Sequence, residues 1–154
     1  MMIPVRIYLD ACVVARLFDD RRQLRVRQEA EGVEALLQMF AEERAVWVTS
    51  DALLDELREN PDRVRRDAGV RLLSLSGEEV AIDDATEQRA RELEGAGYGA
   101  YDALHLACAE LAQVDLLLTT DDRFEKRATR GLGMPRVPVQ NPLNFLSGAP
   151  QEKT

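Results

Sequence analysis

Short apolar runs of strand length alternate along this chain with longer segments of helical periodicity, and that alternation constrains its fold more than any other feature. Residues 3–9 (IPVRIYL), 45–49 (AVWVT), 70–75, 115–120 (DLLLTT) and a short piece at 137–139 read as strands. Between the first two lie a short apolar turn over 11–18, a polar stretch over 19–27, and a helix carrying Ala30, Val33, Leu36, Leu37 and Phe40. Ser50 caps a helix with Leu53, Leu54 and Leu57 that stops at Asn60-Pro61, and Gly77 closes the third strand. Asp84 opens a helix to about Glu94, residues 100–112 form a helix buried on most sides, and residues 121–130 form the last long one. Strands joined by helices run parallel, because each crossover must be long and right-handed. The expectation is an α/β fold, a central parallel sheet of four or five strands with helices on both faces. At 154 residues the chain suits one such domain, expected over residues 1–146, with a flexible C-terminal tail over 147–154.

Composition narrows the function classes. With 45% hydrophobic and 31% charged residues, extensive disorder is excluded, and no apolar run approaches the roughly 20 residues that span a bilayer. Cys12 and Cys108 lie in apolar segments without Cys-x-x-Cys spacing, so both read as reduced core residues. A cytoplasmic protein with no membrane partner is expected. The net charge of −8 argues against binding nucleic acid through diffuse positive charge. A polyanionic partner would need local help from an arginine cluster or a divalent cation.

The acids supply a place for such a cation. Asp10 follows the first strand directly, Asp121 follows the fourth, and Asp102 lies in the first turn of the buried helix after Gly97 and Gly99. In a parallel sheet, ligands gather beyond the carboxyl ends of the strands. Glu56 shares a helix face with Ala52 and Leu53 and points inward, whereas Asp55 falls with Asp51, Arg58 and Glu59 on a solvated stripe. Carboxylates converging on one rim repel one another unless a cation neutralises them, and Mg²⁺ or Mn²⁺ suits oxygen ligands and phosphate substrates. Helix capping is the competing reading of an Asp placed after a strand.

The stretches YLDACVVARLFDD (8–20), DELRENPD (55–62), YDALHLACAELA (101–112), LLLTTDDRF (116–124) and NPLNFL (141–146) together resemble the PIN-domain ribonucleases, including VapC-like toxins of toxin–antitoxin pairs. The resemblance spans nearly the whole chain, and its strength lies in the order of the acids. It implies a three-layer α/β/α sandwich and an Mg²⁺- or Mn²⁺-dependent endoribonuclease cutting single-stranded RNA or a structured RNA loop. By the same resemblance the catalytic and metal-binding residues are Asp10, Glu56, Asp102 and Asp121, and an antitoxin protein is a partner; a homodimer is expected because an apolar helix such as the one carrying Leu36, Leu37 and Phe40 often makes a dimer surface. Asp122 is the runner-up to Asp121. Cys12 departs from the pattern, since many relatives carry Ser, Thr or Asn two residues after the first Asp.

Other residues carry weaker signals. His105, the only histidine, reads as a hydrogen-bonded packing residue before it reads as a proton relay. Arg16, Arg21, Arg22, Arg25 and Arg27 cluster after Asp10 and either contact RNA phosphates or form a solvated face. Leu36, Leu37, Phe40, Trp47 and Phe145 read as core. The rival to a nuclease is a catalytically silent module that binds RNA or an antitoxin. An aspartyl-phosphate mechanism with Asp10 as nucleophile is disfavoured, because Cys12 stands where its second acid would be.

Overall fold

A computed structural model describes residues 3–147. Five strands form one sheet in the order β3-β2-β1-β4-β5, every neighbouring pair parallel: β1 (Val5–Leu9), β2 (Ala45–Ser50), β3 (Glu78–Val80), β4 (Leu116–Leu118) and β5 (Val139–Gln140). Period-2 alternation then sorts the strand side chains between two cores. Tyr8, Val48, Leu117 and Val139 face α5 (Asp84–Ala96), α6 (Ala100–Ala112) and α7 (Asp122–Thr129). Ile7, Leu9, Trp47, Leu116 and Leu118 face the opposite layer. That layer contains α1 (Ala11–Arg16), α2 (Leu24–Ala41), α3 (Asp51–Arg58), α4 (Arg63–Leu72) and α8 (Pro142–Leu146). The result is the three-layer α/β/α sandwich expected from the sequence, with a five-stranded sheet.

Strand order places the functional end. From β1 the chain builds outward through β2 to β3, then returns to the other side of β1 for β4 and β5. The direction of winding therefore reverses between β1 and β4, and at such a switch point the connecting loops diverge and leave a crevice beyond the strand ends. Asp10 and Asp121 flank that crevice. The Asp10 N–H donates to the Leu118 carbonyl, tying the end of β1 to β4.

Several local expectations need correction. Residues 70–75 are not a strand: α4 runs through Leu72 and a 3₁₀ turn covers Leu73–Leu75, so the third strand is Glu78–Val80. The helix starts at the Asp62 cap, whose side chain accepts from Arg65 N–H, and Val70, Leu72 and Leu73 pack into the second core. An apolar run this short fits either periodicity, and the upstream cap decides it. The apolar turn over 11–18 contains a true helix, α1, because Asp10 caps it. The long helix begins at Leu24, inside the stretch expected to be polar coil, and the fourth strand narrows to Leu116–Leu118. Of the expected tail, Ser147 caps α8, and residues 148–154 lie outside the described residues.

Leu36, Phe40 and Trp47 are buried as expected, while Leu37 and Phe145 are partly buried against the same core. Trp47 stacks on Phe40 at a centroid distance of 5.7 Å. Among the described residues no helix is long and apolar enough to cross a membrane.

Candidate active site

Asp10 and Asp121 are both helix caps and both members of an acidic group, so the two readings of these residues coexist. Asp10 Oδ1 accepts from Val13 N–H at 3.1 Å and from the Cys12 thiol at 3.0 Å. Asp121 Oδ1 accepts from the N–H groups of Arg123 and Phe124, at 2.9 and 3.4 Å. A polar bridge joins the two acids: the Asp121 N–H donates to Thr119 Oγ1, which lies 3.4 Å from Cys12 Sγ. Thus Cys12 is not simply a core residue. It is half-buried and takes the donor role toward Asp10 that a hydroxyl would fill.

Asp102 enters the same crevice from the first turn of α6, after the Gly99 cap. Its carboxyl is pushed up to about 7, first by burial and then by the negative charges of Asp10 and Asp121, with Glu56 adding to them and His105 opposing. No described residue donates a hydrogen bond to it. Burial also raises the Asp10 carboxyl, against the opposing influence of His105 and hydrogen bonds from Cys12, Thr119 and Val13. Among the described residues, none of Asp10, Glu56, Asp102 and Asp121 forms an ion pair with Arg or Lys. Asp10, Asp121 and Glu56, from three other stretches of chain, therefore act electrostatically on Asp102, with no arginine or lysine paired to any of the four.

Glu56 is anchored differently. Its Oε1 lies 2.6 Å from His105 Nε2, and His105 is 1% exposed. The expectation that His105 is hydrogen-bonded and packed holds; its partners are Glu56 on one side and the Tyr8 hydroxyl, 2.7 Å from Nδ1, on the other. Tyr8 in turn lies 2.6 Å from Ser50 Oγ. Asp55, by contrast, is exposed.

Whether these residues fit a divalent cation depends on donor type and charge. The group offers only carboxylate oxygens, one of them on an Asp102 side chain without a hydrogen-bond donor, which suits a hard cation. Among the described residues, no group of three or more His, Cys, Asp or Glu side chains is placed so that it could hold a metal ion. Mg²⁺ and Mn²⁺ retain several waters and engage one or two carboxylates directly, so the fit here is to a cation held by one or two of these acids and water.

The arginine cluster is largely engaged within the fold. Arg16 pairs with Asp19 and with the fully buried Glu29, Arg21 with Glu34, Arg22 with Asp20, and Arg25 with Glu29 and Asp122. Of the two readings, RNA phosphates or a solvated face, phosphate contact by these four residues would compete with those partners. Glu29 was not singled out from the sequence; it also accepts from Asn141 Nδ2 at 2.7 Å and so joins α1, α2 and the start of α8. Its position among Ala30, Val33 and Leu36 on the apolar face of α2 was the available signal.

A family model described as PIN domain matches residues 7–129. No curated protein matches the chain. Among solved structures, VapBC2 from Rickettsia felis, bound to a DNA fragment from its promoter, superposes with a TM-score of 0.60 at 14% identity, covering 89% of this chain and 98% of that one. VapC20 from Mycobacterium tuberculosis, a toxin that cleaves the sarcin-ricin loop, superposes with a TM-score of 0.57 at 18% identity, covering 84% of this chain and 98% of that one. At these identities the two structures speak to the fold.

Proposed function

The chain belongs to the PIN domain family, and from that premise we propose that it is an Mg²⁺- or Mn²⁺-dependent endoribonuclease, the toxin of a toxin–antitoxin pair acting in the cytoplasm. One observation carries the reading: Asp102 is set within the field of Asp10, Asp121 and Glu56, and among the described residues none of the four acids pairs with an arginine or lysine. A fold that needs only stability has no reason to gather unneutralised carboxylates, whereas a phosphodiester-cleaving site has.

Asp10, Asp102 and Asp121 would hold the cation, with Glu56 as a further ligand or as the group orienting the attacking water. When bound, a divalent cation lowers the pKa of water and stabilises the charge that builds on phosphate during in-line displacement. The chain's own part is positional. Capping bonds fix the Asp10 and Asp121 side chains at the strand ends, and Glu56 Oε1 lies 2.6 Å from His105 Nε2. No described residue donates to the Asp102 carboxyl, so once deprotonated it can accept from water or engage a cation without losing a hydrogen bond to the protein.

An RNA loop is the substrate class favoured by similarity to VapC20, and an antitoxin is the partner class favoured by similarity to VapBC2. The test is cleavage of a single-stranded RNA and of an RNA hairpin by the purified protein with Mg²⁺, Mn²⁺ or chelator. Cation-dependent cutting that falls at least about a hundredfold in Asp10→Asn and Asp102→Asn supports the proposal. Equal cutting in chelator, or by Asp102→Asn, overturns it. Cys12 at the Asp10 oxygen favours a second reading, a catalytically weak member that binds RNA or antitoxin; tight RNA binding without cutting under any metal would select it.

A further inference from the structure

One hydrogen-bonded chain runs through all three elements that deliver Asp10, Glu56 and Asp102. Ser50, the N-cap of α3, lies 2.6 Å from the Tyr8 hydroxyl; Tyr8 lies 2.7 Å from His105 Nδ1; and His105 Nε2 lies 2.6 Å from Glu56 Oε1. Tyr8 precedes Asp10 by two residues in β1, so both fall on one face of the extended chain. His105 follows Asp102 by three residues on α6, and Ser50 opens the helix that carries Glu56. Ser50, Tyr8 and His105 are all buried.

The proton arrangement follows from donor and acceptor chemistry. A Glu56 carboxylate can only accept, so His105 Nε2 carries a proton and donates it. On the other side of the ring Nδ1 meets the Tyr8 hydroxyl, which in turn meets Ser50, whose oxygen also takes the Leu53 N–H at 3.2 Å. The ring is further confined by Tyr101, stacked on it with centroids 6.1 Å apart, whose own hydroxyl donates to Glu59.

Glu56 needs such a hold. Its side chain is 32% exposed and has three rotatable bonds, so unassisted it would spread over several rotamers. The bond from a buried imidazole claims Oε1, while no described residue donates to Oε2. From this geometry we infer that His105 is a positioning residue, fixing Glu56 in register with Asp10 and Asp102 and leaving its second oxygen open to a cation or water. This rests on the nuclease reading for its purpose, but the hold on Glu56 is a separate and separately measurable property.

Because the chain has one histidine, ¹⁵N-imidazole NMR of the intact protein reports on His105 alone. The expected spectrum shows an Nε2–H tautomer whose resonance moves in Glu56→Gln and on adding Mg²⁺. Mn²⁺ affinity, read from the free-ion EPR signal without RNA, should fall roughly tenfold in His105→Phe and stay within about threefold in His105→Gln, which keeps a donor near the Nε2 position. In a Glu56→Gln background, His105→Phe should cause no further loss. Tyr8→Phe removes one hydroxyl with little change in packing volume. It should shift the His105 resonances and weaken Mn²⁺ binding about threefold even if His105→Phe does not fold. An Nδ1–H tautomer, unchanged Mn²⁺ affinity in a folded His105→Phe or in Tyr8→Phe, or additive losses in the double variant would overturn the inference. Intact coupling in a protein that cuts no RNA would uphold His105 and sink the nuclease reading instead.

Discussion

Arg25 grips Asp122 through hydrogen bonds of 2.8 and 2.7 Å, and this pair separates the roles of two adjacent aspartates. The guanidinium holds the Asp122 carboxyl below its usual range, while Asp121 has no cationic partner and adds its charge to that felt by Asp102. Asp121→Asn should therefore lower RNA cleavage by about a hundredfold or more. Asp122→Asn, which breaks a pair exposed on both sides, should leave cleavage within a few fold and stability within about 1 kcal/mol. Steady-state cleavage and urea denaturation of the two variants decide the matter, and the reverse ranking would reassign the site to Asp122.

Asp102 makes stability depend on pH in a direction opposite to that of most carboxylates. Its folded-state value of about 7 lies above the ordinary 3.8, so between those limits the folded chain holds a proton that the unfolded chain has released. This contribution therefore falls as pH rises from about 4 to 7 and is lowest above 7. In chelator, Asp102→Asn should melt higher than the parent at pH 8, by about 2–4 °C per kcal/mol relieved, and the advantage should vanish near pH 4. Calorimetry at the two pH values tests this, and an advantage that grows toward acid would contradict it.

The same protonation competes with a cation. Mn²⁺ affinity should be nearly flat above pH 7.5 and drop by up to about tenfold per pH unit below 7, as Asp102 takes up its proton. Titration of Mn²⁺ at pH 6 and 8 measures it. Equal affinities would remove Asp102 from the set of ligands.

Arg16 and Glu29 predict a stability effect with no counterpart at the active site. Glu29 is fully buried, and Arg16 donates to it at 2.9 Å while also bonding Asp19. Arg16→Ala should cost on the order of 3 kcal/mol by leaving that charge under-neutralised. Arg22→Ala, at a side chain 90% exposed, should cost almost nothing. Denaturant midpoints compare the two, and equal costs would mean that Glu29 does not rely on Arg16.

Cys12 should be chemically quiet despite being half-buried. Burial and then the neighbouring Asp10 charge push its thiol well above the ordinary range, and burial holds Cys108 up to about 11. Neither thiol should react with a disulfide reagent at pH 8 in the folded protein, and both should react in guanidinium. Rapid native labelling at Cys12 would show that its bond to Asp10 is not maintained.

The layers of the sandwich were legible in the sequence because strand and helix periodicities are local. Tyr8 and Leu9 alternate between faces wherever the strand is placed, and residues 100–112 are apolar enough to require burial on most sides. The strand misread at 70–75 failed for the same reason: six mostly apolar residues carry no clear period, and the information lay upstream at the Asp62 cap. Arginine partners were illegible. Arg25 meets Asp122 across 97 positions, and no spacing rule reaches that far.

By itself the sequence determined the alternation of elements, the parallel sheet that alternation demands, and the identity of the acids at the strand ends, since each follows from short-range sterics, burial and capping. Only the tertiary structure decided which of them share one electric field, that Asp122 is neutralised and Asp121 is not, and that the lone imidazole spans from Tyr8 to Glu56. Those outcomes depend on strand order and helix docking, where residues distant along the chain come within a few ångströms and the energies of charge and hydrogen bonding change steeply with distance.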